Sequence, residues 1–109
     1  MDEIELVDQS LRDAQQSLWG FRMTSDMIFP IAPLLDEVGY KAMGVTGGRG
    51  TVVALRYLNE SILDRFRILS QKMPNTPLRT SFAPWDTFGF DIEPLAPIEL
   101  WIRRAVANG

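Results

Sequence analysis

The feature of this chain that most restricts its fold is a rhythm. Short apolar runs alternate with longer stretches in which apolar residues recur every third or fourth position. Ile4 to Val7 is the first short run, closing at Asp8; residues 41 to 46 (Lys41-Ala42-Met43-Gly44-Val45-Thr46) are the second, and Leu78 to Ala83 the third. Each run has the length and composition of a buried strand. The polar stretch from Gln9 to Ser17 reads as a loop. Thr24-Ser25-Asp26 then supplies N-cap side chains ahead of a helix over Met27 to Leu35, with Gly39 as its stop. Pro30 falls in the first turn of that helix and Pro33 deeper, where it should kink the backbone.

Gly47-Gly48-Arg49-Gly50 suits a tight strand-to-helix turn. Beyond it Leu55, Leu58, Ile62, Phe66, Leu69 and Met73 form an apolar helical stripe, with room for a break near Asn59-Glu60-Ser61 and an end at Pro74-Asn75. Pro84 to Phe90 reads as a loop, and Ile98, Trp101, Ile102 and Ala105 mark a last helix stopped by Asn108-Gly109. The order is βαβαβα. Crossovers long enough for a helix make the strands parallel and the crossovers right-handed. A three-stranded parallel sheet leaves edges and faces uncovered, so more strands or a completing subunit, and a homo-oligomer, are expected.

Composition narrows the chemistry. The 109 residues are 46% apolar, which allows one core and one domain over residues 1–109. The net charge of −3 with scattered basic residues is not the footprint of a nucleic-acid binder. Cysteine and histidine are both absent, which removes thiol nucleophiles, histidine acid–base catalysis and histidine metal ligands from these residues. The acidic N-terminus is no secretory signal, and no run nears the ~20 apolar residues of a membrane span. A cytoplasmic protein is expected.

By residue type, Arg12-Asp13 reads as an ion pair of small energetic weight and Gln16 as a loop amide. Gly47-Gly48 fits neither the P-loop nor the dinucleotide pattern. Trp101 lies on the last helix's apolar stripe and reads as core, whereas Trp19 and Trp85 sit in loops, where a tryptophan either packs on a neighbour, the commoner case, or lines a pocket.

Asp8-Gln9-Ser10-Leu11-Arg12-Asp13-Ala14-Gln15-Gln16-Ser17 resembles the first strand-loop of the carboxyltransferase domain of biotin-dependent carboxylases and decarboxylases: pyruvate carboxylase, oxaloacetate decarboxylase and transcarboxylase. The similarity continues through Arg22-Met23, Asp26-Met27, Pro30-Ile31-Ala32-Pro33, Leu35-Asp36-Glu37-Val38-Gly39, Gly47-Gly48, Leu55-Arg56-Tyr57-Leu58 and Met73-Pro74-Asn75-Thr76-Pro77-Leu78. The resemblance implies the first three βα units of a (β/α)₈ TIM barrel of the metal-dependent lyase type. Such a barrel needs about 250 residues. The family's histidine ligands and reactive lysine lie on later strands. It further implies Asp13 as ligand of a divalent metal of the Zn, Mn or Co type, Arg12 as a catalytic and substrate-binding cation, and Gln16 as a substrate-binding amide. Biotin on a carrier domain or subunit would bring the carboxyl group.

Three departures shift that expectation. The family's histidine after Arg-Asp-Ala is Gln15, an acidic position after the second strand is Val52, and the arginine that grips a keto acid at the third strand is Ala83. The expected reaction is therefore carboxyl transfer between biotin and an oxo-acid or acyl substrate other than pyruvate, with Arg49 or Arg79 as a replacement cation. A catalytically degenerate subunit or assembly module is one alternative; an acyl-CoA lyase or Claisen-condensing relative is another.

Overall fold

The computed structural model describes residues 2–83 and 94–109. At its centre is β2 (Ala42–Gly47), with Met43 and Val45 fully buried against the helices. It lies between β1 (Val7–Asp8) and β3 (Leu78–Ser81) and runs parallel to both, in the order β1-β2-β3. The alternating runs predict this parallel α/β arrangement. β1 is shorter than the run that announces it: Ile4 and Leu6 remain exposed, with no described residue covering this edge, and a bond from the Lys41 amide to the Leu6 carbonyl (2.8 Å) extends the pairing slightly.

The first crossover differs most from expectation. The polar stretch after β1 is helical: a wide π-type turn over Ser10–Ala14 continues into α1 (Gln15–Trp19). Its polar face meets solvent while Leu11 and Gln15 turn inward. The expected single helix is split into α2 (Ser25–Ile28) and α3 (Ala32–Asp36). The prolines act in the reverse of the predicted roles. Pro30, without an N–H, interrupts the ladder after the Phe29 amide bonds the Ser25 carbonyl (2.8 Å), and Pro33 sits in the first turn of α3, where a missing N–H is harmless. Gly39, at φ +82°, makes the stop.

The second crossover comprises α4 (Gly48–Val53), a π-type turn over Ala54–Leu58, and α5 (Ile62–Lys72). The wide turn shifts the helical phase, so Ala54 is buried and Leu55, assigned to the stripe by its spacing, faces solvent. The break falls at Asn59, which takes φ +52°, and Ser61 caps α5 by accepting from the Asp64 amide. From Ile62 onward the stripe holds: Ile62, Phe66, Leu69 and Met73 join Met43, Val45, Ile28 and Ala32 in the core. After β3, α6 (Leu95–Ala107) adds Ala105, and Trp101 packs edge-on against Phe66 and Phe82 with ring centroids 6.4 and 6.0 Å apart. No helix among the described residues is long and apolar enough to cross a membrane. The loop Pro84 to Phe90, with Trp85, lies outside the described residues.

Two polar networks tie the crossovers together. Arg65, on the core side of α5, is only 2% exposed and pairs with Glu60. It also donates to Ser25 Oγ (3.0 Å) and the Met23 carbonyl (3.3 Å), while Glu60 accepts from the Ser25 amide and hydroxyl at the start of α2. Asp36, at the end of α3, accepts from Thr76 Oγ1 (2.7 Å) and from the Asn75 amide and side chain ahead of β3. Burial pushes both carboxyls up, but the bonds from Ser25 and Arg65 to Glu60, and from Thr76 and Asn75 to Asp36, outweigh it and hold both below the ordinary carboxylate value.

Removing Glu60 leaves Arg65 buried without its counter-charge. Glu60→Ala is expected to destabilise the protein by about 3–5 kcal/mol, read by denaturant unfolding; a loss under ~1 kcal/mol would contradict the pairing. A carboxyl depressed in the folded state adds stability above its unfolded pKa and loses it as pH falls through the folded value. The melting temperature is therefore expected to drop as pH falls below about 4.5, and the drop should be shallower in Glu60→Gln. An identical acid profile in that variant would rule out Glu60 as a contributor.

Candidate active site

Three segments converge where the strands end: the turn carrying Arg12 after β1, Gly47-Gly48-Arg49 after β2, and Ser81 to Ala83 after β3. They border an upper cleft of about 330 Å³ lined by Arg12, Gln16, Phe21, Arg49, Ser81 and Ala83 among others. A second cavity of about 280 Å³ lies deeper along the sheet, lined by Gln9, Asp13, Gly44, Thr46, Arg79 and Ser81, with Arg12 bordering both. The sequence candidates Arg12, Asp13 and Gln16 are thus brought together, and both candidate replacement cations, Arg49 and Arg79, line the same region in different cavities.

The turn that presents Arg12 is held from within. Gln15, buried, donates to the Leu11 carbonyl (2.8 Å) and accepts from the Met23 amide (3.2 Å). Asp8 accepts from the Ser10 amide (2.9 Å) and hydroxyl and caps the same turn. Arg12 Nη1 donates to Asp13 Oδ1 at 2.8 Å. Its Nε is buried without a hydrogen-bond partner among the described residues, and so is Gln16 Oε1. A buried donor and a buried acceptor left unmet in one cleft are costly unless a ligand satisfies them.

Glycines provide the space by close approach. A Cβ on Gly47 would lie 3.1 Å from the Ser81 carbonyl oxygen, and one on Gly50 would lie 2.1 Å from Thr46 Oγ1 and 3.0 Å from the Phe21 ring. Thr80 Oγ1 donates to the Thr46 carbonyl (3.1 Å), beside a bulge between Gly44 and Thr46 that re-aims the end of β2.

Among the described residues no three His, Cys, Asp or Glu side chains come together as a metal cluster. Asp13, its carboxylate 61% exposed at the cavity, offers one hard oxygen besides the one bonded to Arg12. Trp19 is half exposed on α1 and lines neither of these two cavities, and Trp85 lies outside the described residues. Gln9, Thr46 and Ser81 escape sequence reading. Arg79 alone carries a local signal, a charged residue inside a strand-like run.

Comparison with known proteins places this geometry. No protein-family model matches the chain. A pyruvate carboxylase subunit from Methanocaldococcus jannaschii is 38% identical over 106 residues, covering 97% of this chain and 19% of that protein. The 2-oxoglutarate carboxylase large subunit of Hydrogenobacter thermophilus is 33% identical over 107 residues, 98% of this chain and 16% of that protein. The chain thus spans less than a fifth of either relative. Among solved structures, the carboxyl transferase domain of Rhizobium etli pyruvate carboxylase with 3-hydroxypyruvate superposes with a TM-score of 0.90 at 25% identity, over 98% of this chain and 18% of that one. The same domain with pyruvate and biocytin gives 0.88. Along nearly its whole length the chain belongs to the carboxyltransferase family of pyruvate carboxylase and its biotin-dependent relatives, of whose carboxyltransferase domain it matches a segment.

Proposed function

We propose that residues 1–109 form the amino-terminal part of a metal-dependent (β/α)₈ barrel that moves a carboxyl group between biotin on a carrier domain or subunit and an oxo acid other than pyruvate. The observation that carries the reading is the pair of unmet buried groups, Arg12 Nε and Gln16 Oε1, in a cleft at the carboxyl ends of parallel strands. Barrel enzymes place their chemistry at that end. The substrates named for relatives differ: pyruvate, 2-oxoglutarate and, for a subunit from Propionibacterium freudenreichii 26% identical to this chain, methylmalonyl-CoA. Ala83 on the cleft wall offers no charge to a small keto acid's carboxylate, which supports a substrate other than pyruvate.

In this reading Arg12 is the catalytic cation. Its guanidinium, oriented by Asp13 and by the turn that Gln15 holds, stabilises negative charge on the substrate's enolate oxygen as the carboxyl group is exchanged. Gln16 donates a hydrogen bond from its carboxamide N–H to an oxygen of the bound substrate. Asp13 would hold a divalent metal together with ligands from the rest of the barrel, and such an ion polarises a keto oxygen. The remainder of the barrel, or a completing subunit, and a biotin carrier are the implied partners.

A second reading, a catalytically degenerate subunit, is favoured by Ala83, Val52 and Gln15 standing where family members carry ionisable groups. Steady-state carboxyl transfer by the complete protein separates the two. Arg12→Ala is expected to lower kcat by about 10²–10³, and Gln16→Ala to act mainly through KM; wild-type protein inactive with every oxo acid would favour the degenerate reading. Metal analysis gives an independent check, with Asp13→Ala expected to lose the bound divalent ion. Stoichiometric metal retained in that variant would remove Asp13 from the ligand set.

A further inference from the structure

We propose that Phe21 is a specificity-determining residue of the upper cleft, its ring being the wall that limits branching in the hydrocarbon chain of the bound oxo acid. The inference rests on the oxo-acid reading of that cleft. Phe21 has φ +64°, a left-handed conformation that strains a bulky residue, and it follows Gly20 at φ +58°. Three contacts hold it there. Its amide donates to the Gln15 carbonyl (3.2 Å), and the Met23 amide donates to Gln15 Oε1 (3.2 Å), so one residue anchors the chain on both sides of Phe21. The ring lies so close over Gly50 that a Cβ on that glycine would fall 3.0 Å from it. Gln15 is itself buried, which shields both anchors from water.

Packing in the hydrophobic core does not explain the strain. Phe21 is only 7% exposed, yet it does not join the buried apolar cluster that contains Leu11, Met43 and Phe66. It lines the upper cleft instead, with Arg12 and Gln16. A bulky residue kept in a disfavoured conformation, apart from the core and in one cleft with two unmet buried polar groups, is accounted for by where its ring stands. An oxo acid whose polar end takes the Arg12 guanidinium and the Gln16 carboxamide leaves its carbons to the apolar wall. Phe21 is tied to Gln16 through the same helix end, because the Gly20 amide just before it donates to the Gln16 carbonyl (3.1 Å). The spacing from polar anchor to apolar wall is thereby set within one short segment and does not depend on later strands. A straight chain passes along the ring. A methyl branch is driven into it, and a packed ring backed by Gly50 has little room to yield.

Isothermal titration of the complete protein with two isomeric acids, straight-chain 2-oxopentanoate and branched 3-methyl-2-oxobutanoate, tests this without requiring turnover. The pair has equal charge and carbon number, so only shape differs. Wild type is expected to bind the straight acid at least ~10-fold more tightly, and Phe21→Ala to cut that preference below ~3-fold by tightening the branched acid. Phe21→Leu should fall between. Phe21→Gly removes ring and strain together: it should lose the preference too, yet melt above Phe21→Ala, the reverse of the usual order for these residues. It supplies the binding readout if the alanine variant folds poorly. Equal affinities in wild type, a preference that survives in both truncations, or an equal weakening of both acids overturns the wall, and a glycine variant that melts below the alanine one overturns its strained origin. A wild-type protein that binds neither acid refutes the oxo-acid reading and the wall with it. The expected preference in a protein that transfers no carboxyl group upholds the wall and refutes carboxyl transfer alone.

Discussion

A guanidinium sealed from water must be paired, and the pairing of Arg65 is the constraint from which the placement of the site descends. From its ion pair with Glu60 a continuous path of hydrogen bonds leads outward. Arg65 donates to the Met23 carbonyl, the Met23 amide donates to Gln15, and Gln15 donates to the Leu11 carbonyl in the turn that carries Arg12. The charged tip that faces the cleft is thus anchored in an ion pair on the far side of the first crossover. A group expected to stabilise developing charge gains from such anchoring, because its dipole is oriented before the substrate arrives.

Gln15 plays a mechanical role without a titratable group. Buried between two backbone groups, a carboxamide supplies one donor and one acceptor in the directions that the turn and the Met23 amide demand. Its charge does not change with pH, so the orientation of Arg12 is insulated from protonation at this point. Asp36 does related work at the other end of the sheet, joining the end of α3 to Asn75 and Thr76 just ahead of β3. Two of the islands that carry the family resemblance, Leu35 to Gly39 and Met73 to Leu78, therefore meet in space as a structural joint remote from the cleft.

Sequence periodicity was most informative where one burial pattern dominates. β2, α5 from Ile62 and α6 follow from the spacing of apolar residues alone, and the break at Asn59 from its turn-forming chemistry. It was least informative where few residues decide. The stretch after β1 is polar enough to read as a loop, yet two inward side chains, Leu11 and Gln15, suffice to wind it. The roles of Pro30 and Pro33 depended on where the helix begins, which spacing does not set. Arg12, Asp13 and Gln16 could be proposed from family resemblance, but the deeper cavity along Gln9, Gly44 and Arg79 could not. It exists only through strand register, which is a tertiary property.

The sheet order β1-β2-β3 matches the order in which the strands occur along the chain, and each pairing spans a crossover of similar length. Among the described residues no strand must be inserted between two that are already paired. A nascent chain emerging from the ribosome therefore extends the sheet at a single growing edge, β2 docking on β1 before β3 has been synthesised. Each crossover adds its loop-closure cost in turn rather than all at once. Assembly can thus proceed in step with translation, and the elements around Arg12 and Gly47 are in place before β3 arrives beside them.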